Sequence, residues 1–512
     1  MKLALAQINT TVGDLAGNVA RILDAARSVE HQKPDLVVFP EMTVPGYPPR
    51  DILYDTSFVE AVQAATQDLA NQSKGLPPML VGSFAPSGES LLEHPALHNI
   101  ACLMQNGGTR IAQIKRLLPV YDVFHEPRWF VPGRETLPPI EIAGRKLGVL
   151  ICEDMWDEQY PVHPGADLKH MGADLLICMS AAPYERGALE NRLYHARRQE
   201  LAIAFVDLVG GNDELVFDGG CFMLSGAGEL LHQSPLFTED ISIVNFPGAE
   251  KRLDVRPRPL EEDIFGALVL GVRDFFHKNG QKRIVIGLSG GIDSSVAAVI
   301  AAKAVGPERV LGVAIPSRYT DPRSTESARE LAERLGIGFE TVELEKMHLA
   351  AEQVLGSERS AGKGGENIQA RLRMIVLMSY VNQVGGLLLN TSNKTELTLG
   401  YSTLYGDMAG AVSLLGDLTK PEVYALARWI NSEGAVIPGF VMERKPSAEL
   451  KMNQVDPFDY EAISPEVEKL VINSRSNAAM RASEHKRWQM GVVLKVSAKS
   501  FGRGRLMPIT RK

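Results

Sequence analysis

The run RIVIGLSGGIDSS, residues 283 to 295, brings apolar residues up to a pair of glycines, an acid and several hydroxyls. Glycine lets a backbone approach phosphate closely, and a helix start offers free N–H groups and a positive dipole end. Gly287, Leu288, Ser289, Gly290, Gly291, Ile292, Asp293 and Ser294 therefore form a candidate anion loop. No Lys follows the glycines as in GxxxxGK[ST], so γ-phosphate transfer is not the expected chemistry. Asp293 is placed to hold Mg²⁺ against phosphates. The plainer alternative is a tight turn in which Asp or Ser caps a helix. A second set lies far upstream: Glu41 in FPE, Lys115 in IKR and Cys152 in LICED. A free thiol with a pKa of about 8.5 is mostly protonated at neutral pH. Attack on an amide thus needs a base for the thiol proton and a cation beside the developing oxyanion, and Glu and Lys supply them. Taken singly, Cys152 could equally be a core residue, and Cys102, Cys178 and Cys221 in their apolar surroundings are expected to be core.

Both sets stand where strands give way to loops, as a rigid sheet with solvent access would require. From Lys2 to about Phe246, strand-like runs such as LVVF, KLGVLIC and DLLICMS outnumber helical ones, which predicts two packed sheets with helices outside. In NVARILDAARSVEHQ, Val19, Ile22, Leu23, Ala26 and Val29 share one helical face. Residues 247–263 are rich in proline and charge and predict an exposed connector, so the expected domains are 1–246 and 264–512. Beyond it, RIVIGL, RVLGVAIP, FETVEL and GLLLNTS alternate with helical patterns, the rhythm of a parallel sheet covered by helices. The expected class is α/β throughout.

The 512 residues suit two large domains, and 45% apolar with 23% charged content suits a globular chain. No signal peptide or membrane-length apolar run is read, and the scattered cysteines show no zinc or disulfide pattern. A reducing cytoplasm fits best. A net charge of -8 argues against nucleic acid as a partner. The basic end, with Lys495, Lys499, Arg503 and Arg505 around a Gly-rich turn, is either a solvated tail or a local anion contact.

SGGIDSS after a strand resembles the PP-loop of ATP pyrophosphatases, in which an oxygen is adenylated and pyrophosphate leaves. Further on, ENIQARLRM, LLLNTSNKTE, GYSTLYGD and GDLTK resemble the synthetase domain of NAD synthetases. That resemblance implies ATP contacts at Thr391 and Lys420, and a metal or dinucleotide contact at Glu396. It implies deamido-NAD contacts at Asn367, Arg371, Tyr401, Ser402, Thr403, Leu404 and Lys499. Arg371 and Arg373 are also read as ordinary surface charges. The smaller ammonia-dependent relatives tend to carry Lys at the position of Leu404 and Asp at that of Ala411. The Glu41, Lys115 and Cys152 set resembles the nitrilase (carbon-nitrogen hydrolase) superfamily, which implies a general base, an oxyanion stabiliser and a nucleophile in that order. Glu126, in YDVFHEPRWF, matches a further acidic residue of such sites. The segment KRLLPVYDVFHEPRWF is similar to the glutaminases attached to NAD synthetases, implying glutamine contacts at Tyr121, Ser180 and Arg186.

Together the halves resemble the glutamine-dependent NAD synthetase family. The resemblance implies an N-terminal αββα nitrilase-like sandwich and a C-terminal doubly wound parallel sheet of the adenine nucleotide α-hydrolase type. It implies glutamine, ATP with Mg²⁺ and deamido-NAD as substrates, a sheltered route for ammonia and a homo-oligomer, with no membrane or nucleic-acid partner. Two alternatives stay open: another PP-loop glutamine amidotransferase, or an ammonia-dependent synthetase whose first half is a non-catalytic interaction module.

Overall fold

The computed structural model describes residues 1–91, 94–247, 253 and 258–504, so Arg505 and most of the expected connector lie outside the described residues. The chain divides into two units, Met1–Asn212 with Val216–Pro257 and Asp213–Leu215 with Arg258–Lys512.

The first unit begins β1 (Lys2–Gln7), α1 (Leu15–Val29), β2 (Leu36–Val38), α2 (Thr56–Gln72), β3 (Met79–Leu91), β4 (His94–Gln105) and β5 (Gly108–Ile114). It continues through β6 (Ile140–Ile142), β7 (Arg145–Ile151), α3 (Pro164–His170), β8 (Leu175–Ser180), α4 (Ala188–Arg198) and β9 (Ile203–Asp207). Short strands β10 (Val209–Asn212), β11 (Leu215–Asp218), β12 (Phe222–Leu224), β13 (Leu230–Gln233) and β14 (Asp240–Asn245) follow. Two six-stranded sheets result, ordered β14-β1-β2-β3-β4-β5 and β13-β12-β9-β8-β7-β6. Because strand side chains alternate between faces, Leu3, Leu5, Val38 and Leu80 of one sheet meet Val149, Ile151, Ile177 and Val206 of the other. Leu150, Leu176, Cys178 and Phe205 point the opposite way, onto Leu168 of α3 and Leu193 and Ala196 of α4. Each such fully buried Leu or Ile contributes about 1.5–3 kcal/mol. The predicted face of α1 is buried as read, and α1 and α2 cover the first sheet, giving four layers, αββα. Strand β6 and those from β10 to β13 were not anticipated, and of β5 only its end before Lys115 was; most are too short to show a period.

β4 pairs antiparallel with both β3 and β5, while β2 and β3 are parallel. β5 therefore runs with β2, and the loops that follow both leave from one edge of that sheet. β7 and β8 are likewise parallel.

The second unit contains α5 (Leu260–Lys278), β15 (Ile284–Gly287), α6 (Ile292–Val305), β16 (Val310–Ala314), α7 (Pro322–Leu335) and β17 (Gly338–Thr341). Next come α8 (Glu345–Arg359), α9 (Gly362–Val384), β18 (Leu387–Asn390), α10 (Lys394–Leu399), β19 (Val412–Ser413), α11 (Lys420–Glu433) and, after further short helices, β20 (Val492–Val493). Helix α5 starts at Leu260, inside the span read as connector. The sheet order is β17-β16-β15-β18-β19-β20 with every pair parallel. Val376 and Leu377 of α9 pack on Val285, Val313 and Leu388, while α5, α6, α7 and α11 pack against one another around α6, which is buried almost all round. Strand order reverses between β15 and β18. In an open parallel sheet that reversal opens a crevice at the carboxyl ends of the strands, where ligands bind. Among the described residues no helix is long and apolar enough to cross a membrane.

Candidate functional site

In the first unit β7 delivers Cys152 to the start of a tight turn, Cys152–Met155, with φ at 46°. A non-glycine residue held there costs about 1–2 kcal/mol, so the surrounding fold imposes the conformation. Lys115, the residue after β5, is fully buried and donates from Nζ to Glu41 Oε1 and Glu126 Oε1, each at 2.8 Å. Asn99 Nδ2 donates to the same Glu41 oxygen at 2.6 Å, and the Tyr47 hydroxyl reaches Glu126 Oε1 at 3.4 Å. Burial opposes the charge on Lys115, but Glu126 and Glu41 outweigh it and hold its pKa well above the ordinary value. Burial pushes the Glu126 carboxyl up to about 7 against the pull of Lys115. Glu41 Oε2 is buried without a hydrogen-bond partner among the described residues, so it is open to receive a proton.

The Cys152 thiol accepts a hydrogen bond from Ser180 Oγ at 3.4 Å. Burial and then the charge on Glu41 raise its pKa well above normal, with Lys115 pulling the other way. The raised pKa favours a neutral thiol, so any attack by this sulfur would require a base within the cluster. Tyr121 donates to Glu153 Oε2 at 2.9 Å, and Tyr160 donates to Glu153 Oε1 at 2.9 Å. Arg186 is half-buried in the loop that follows Ser180, the last residue of β8. Glu153, Asn99 and Tyr47 were missed from sequence. The acidic pair directly after Cys152 was a visible signal for the first of them.

In the second unit the crevice at the strand reversal is a cavity of about 300 Å³. All the predicted ATP contacts line it except Gly290. Gly290 shapes the loop instead: its φ is 73°, and a Cβ there would lie 2.1 Å from the Ser324 carbonyl oxygen. Gly290→Ala is therefore expected to destabilise this unit by about 3 kcal/mol, combining backbone strain with overpacking. A melting curve should show Tm lowered by roughly 10 °C; an unchanged Tm would refute the steric reading.

Asp293, in the first turn of α6, meets Lys420 Nζ from the first turn of α11 and accepts from Asn393 Nδ2 at 3.1 Å. Lys420 also lies 3.7 Å from Glu396 Oε1. Burial pushes Glu396 up to about 8, Lys420 pulls it down, and the neighbouring Asp293 raises it. Glu396 and Tyr401 line the cavity; Asn367, Arg371, Ser402, Thr403, Leu404 and Lys499 do not. Thr403 Oγ1 donates to Asn367 Oδ1 at 2.8 Å, Arg371 Nε to the Leu404 carbonyl at 3.1 Å, and Lys499 Nζ to Ser474 Oγ at 2.8 Å. Arg373, for which a plain surface charge was the alternative, lines the cavity and donates to the Ile315 carbonyl at 3.0 Å. Burial lowers its pKa to about 10, so it remains a cation at neutral pH. Two residues apart on one helix, Arg371 and Arg373 point in roughly opposite directions, a cue the spacing already carried. Asp407, pushed up to about 6 by burial, also lines the cavity and was missed.

Residues 2–250 match the carbon-nitrogen hydrolase family model and residues 264–496 match that for NAD synthase. The glutamine-dependent NAD(+) synthetase of Synechocystis sp. is 37% identical over 99% of this chain and 98% of its own. That of Thermotoga maritima is 35% identical over 100% and 99%. The chain belongs to the glutamine-dependent NAD(+) synthetase family. The solved structure of the family member from Acinetobacter baumannii, in complex with adenosine diphosphate, superposes with a TM-score of 0.80 at 32% identity, covering 99% of this chain and 98% of that one. Family membership makes this an enzyme of the ligase class, with the cysteine cluster in its carbon-nitrogen hydrolase half and the crevice in its NAD synthase half.

Proposed function

We propose that Cys152 hydrolyses glutamine to glutamate and ammonia, and that the second unit uses the ammonia to convert deamido-NAD to NAD. The proton of Cys152 passes to Glu41, the thiolate adds to the side-chain amide carbon, and Lys115 faces the developing oxyanion. Glu41 returns that proton to the departing nitrogen so that ammonia leaves, and water, giving up a proton through Glu41 to the leaving sulfur, hydrolyses the thioester to glutamate and restores the thiol. Tyr121, Ser180 and Arg186 orient the glutamine, the arginine by its planar fork on the α-carboxylate. Glu126 shares Lys115 with Glu41 and holds its ammonium between them.

At the crevice a carboxylate oxygen of deamido-NAD attacks the α-phosphorus of ATP and pyrophosphate departs. Ammonia then attacks the acyl carbon and AMP leaves. The loop 287–294, Thr391 and Lys420 hold ATP, and Tyr401 and Glu396 face the dinucleotide. Asn367, Arg371, Ser402, Thr403, Leu404 and Lys499 lie outside the cavity lining and join that side when binding redirects them. Mg²⁺ fits here: Asp293 and Glu396 offer hard carboxylate oxygens on either side of Lys420, and Mg²⁺ binds through one or two carboxylates plus phosphate. When bound, it neutralises charge on the departing pyrophosphate. The proposal extends to a cytoplasmic homo-oligomer with domains 1–246 and 264–512.

The observation that supports this most is one chain holding both a buried Glu41–Lys115–Glu126 cluster around a cysteine turn and an anion loop at a strand reversal. Purified protein with deamido-NAD, ATP and Mg²⁺ should form NAD with glutamine or with ammonium. No NAD with either donor would overturn the reading.

A further inference from the structure

Asp154 has no part in the chemistry described so far, yet its side chain is completely buried two residues beyond the nucleophile. Its Oδ1 accepts the backbone N–H groups of Arg116 and Leu117, each at 2.9 Å. Its Oδ2 accepts the N–H of Ile151 at 3.1 Å. Arg116 and Leu117 directly follow Lys115, and Ile151 directly precedes Cys152. One carboxylate thus joins the exit of β5, in the first sheet, to the exit of β7, in the second. We propose that Asp154 is a positioning residue for glutamine hydrolysis, fixing the separation of the Lys115 ammonium and the Cys152 sulfur.

Three features support this. The two joined segments belong to different sheets, and Arg116 and Leu117 lie 38 and 37 residues from Asp154, so no local bond sets their spacing. Cys152 sits at positive φ, a conformation that needs holding from outside. Burial pushes the Asp154 carboxyl up to about 7 even though three N–H groups pull it down, so the fold keeps an acid here against its desolvation. An apolar residue could fill the space but would leave those N–H groups without their acceptor.

The inference rests on the reading that Cys152 is the nucleophile for glutamine. Asp154→Asn keeps one carbonyl oxygen for two of the N–H groups, and Asp154→Ala keeps none. In the full-length enzyme, kcat for glutamine hydrolysis is expected to fall about tenfold in the Asn variant and about a hundredfold in the Ala variant, because small misplacements of reacting groups have effects of that size. KM for glutamine should stay within about threefold, and ammonium-supported NAD formation should stay near that of the unaltered enzyme. A glutamine kcat unchanged in the Asn variant, a rise in KM alone, or an equal loss of both activities in that variant would each overturn the proposal. If Asp154→Ala does not fold, the Asn variant decides alone. Failure of the underlying reading looks different: the unaltered enzyme would release no glutamate from glutamine.

Discussion

Cys152→Ala is expected to abolish NAD formation from glutamine, by at least about four orders of magnitude, while leaving synthesis from ammonium within about twofold. On the proposed mechanism, removing the sulfur removes the atom that would form the thioester. Glu41, Lys115 and Glu126 stay paired through contacts at 2.8 Å that do not involve Cys152. Among the described residues the sulfur accepts a hydrogen bond from Ser180 Oγ at a long 3.4 Å, so little stability depends on it. Alanine also tolerates the backbone at that position about as well as cysteine does. Parallel assays with the two nitrogen donors test the division of labour directly. Equal loss with both donors would show that the cysteine supports the fold or the synthetase step, and would end its assignment as nucleophile.

The second large effect is expected at Asp293. Asp293→Asn should lower NAD formation by about a hundredfold or more with glutamine and ammonium alike, since on the proposed reading it removes a carboxylate that would hold Mg²⁺. The substitution is isosteric, and the amide can still accept from Asn393. Among the described residues Lys420 would keep Glu396, at 3.7 Å, as its anionic partner. Pyrophosphate release measured with ammonium isolates the adenylation step. The glutaminase half should still turn over glutamine at its basal rate. Near-normal pyrophosphate release from the variant would remove Asp293 from metal binding.

The two mutations differ in what they test because the residues were legible for different reasons. SGGIDSS is a local object: apolar strand, glycines and helix start are contiguous, and each local preference agrees with the next. Its glycines did not all act alike, for Gly290 makes room for the Ser324 carbonyl while the loop around it lines the cavity. Cys152 was legible as a residue ending an apolar strand, but its partners were recognisable only through resemblance to a family. Asn99 carried no such mark, since a lone amide in a strand-rich stretch has no distinguishing period.

The amino-acid sequence by itself determined the two α/β halves, the Gly-rich turn between β15 and α6, the cysteine at the end of β7 and, through motif resemblance, the family, because these depend on period, turn chemistry and short contiguous motifs. Tertiary structure alone decided that Lys115 bridges Glu41 and Glu126, that Lys420 meets Asp293 across 127 residues, and that Arg373 rather than Arg371 faces the crevice. It also turned the side chains of Asn367, Arg371, Thr403 and Lys499 onto nearby partners instead of the cavity. The physical reason is that ion pairs and hydrogen bonds between distant segments depend on where strands exit a sheet and in which order they lie, and local periodicity carries neither.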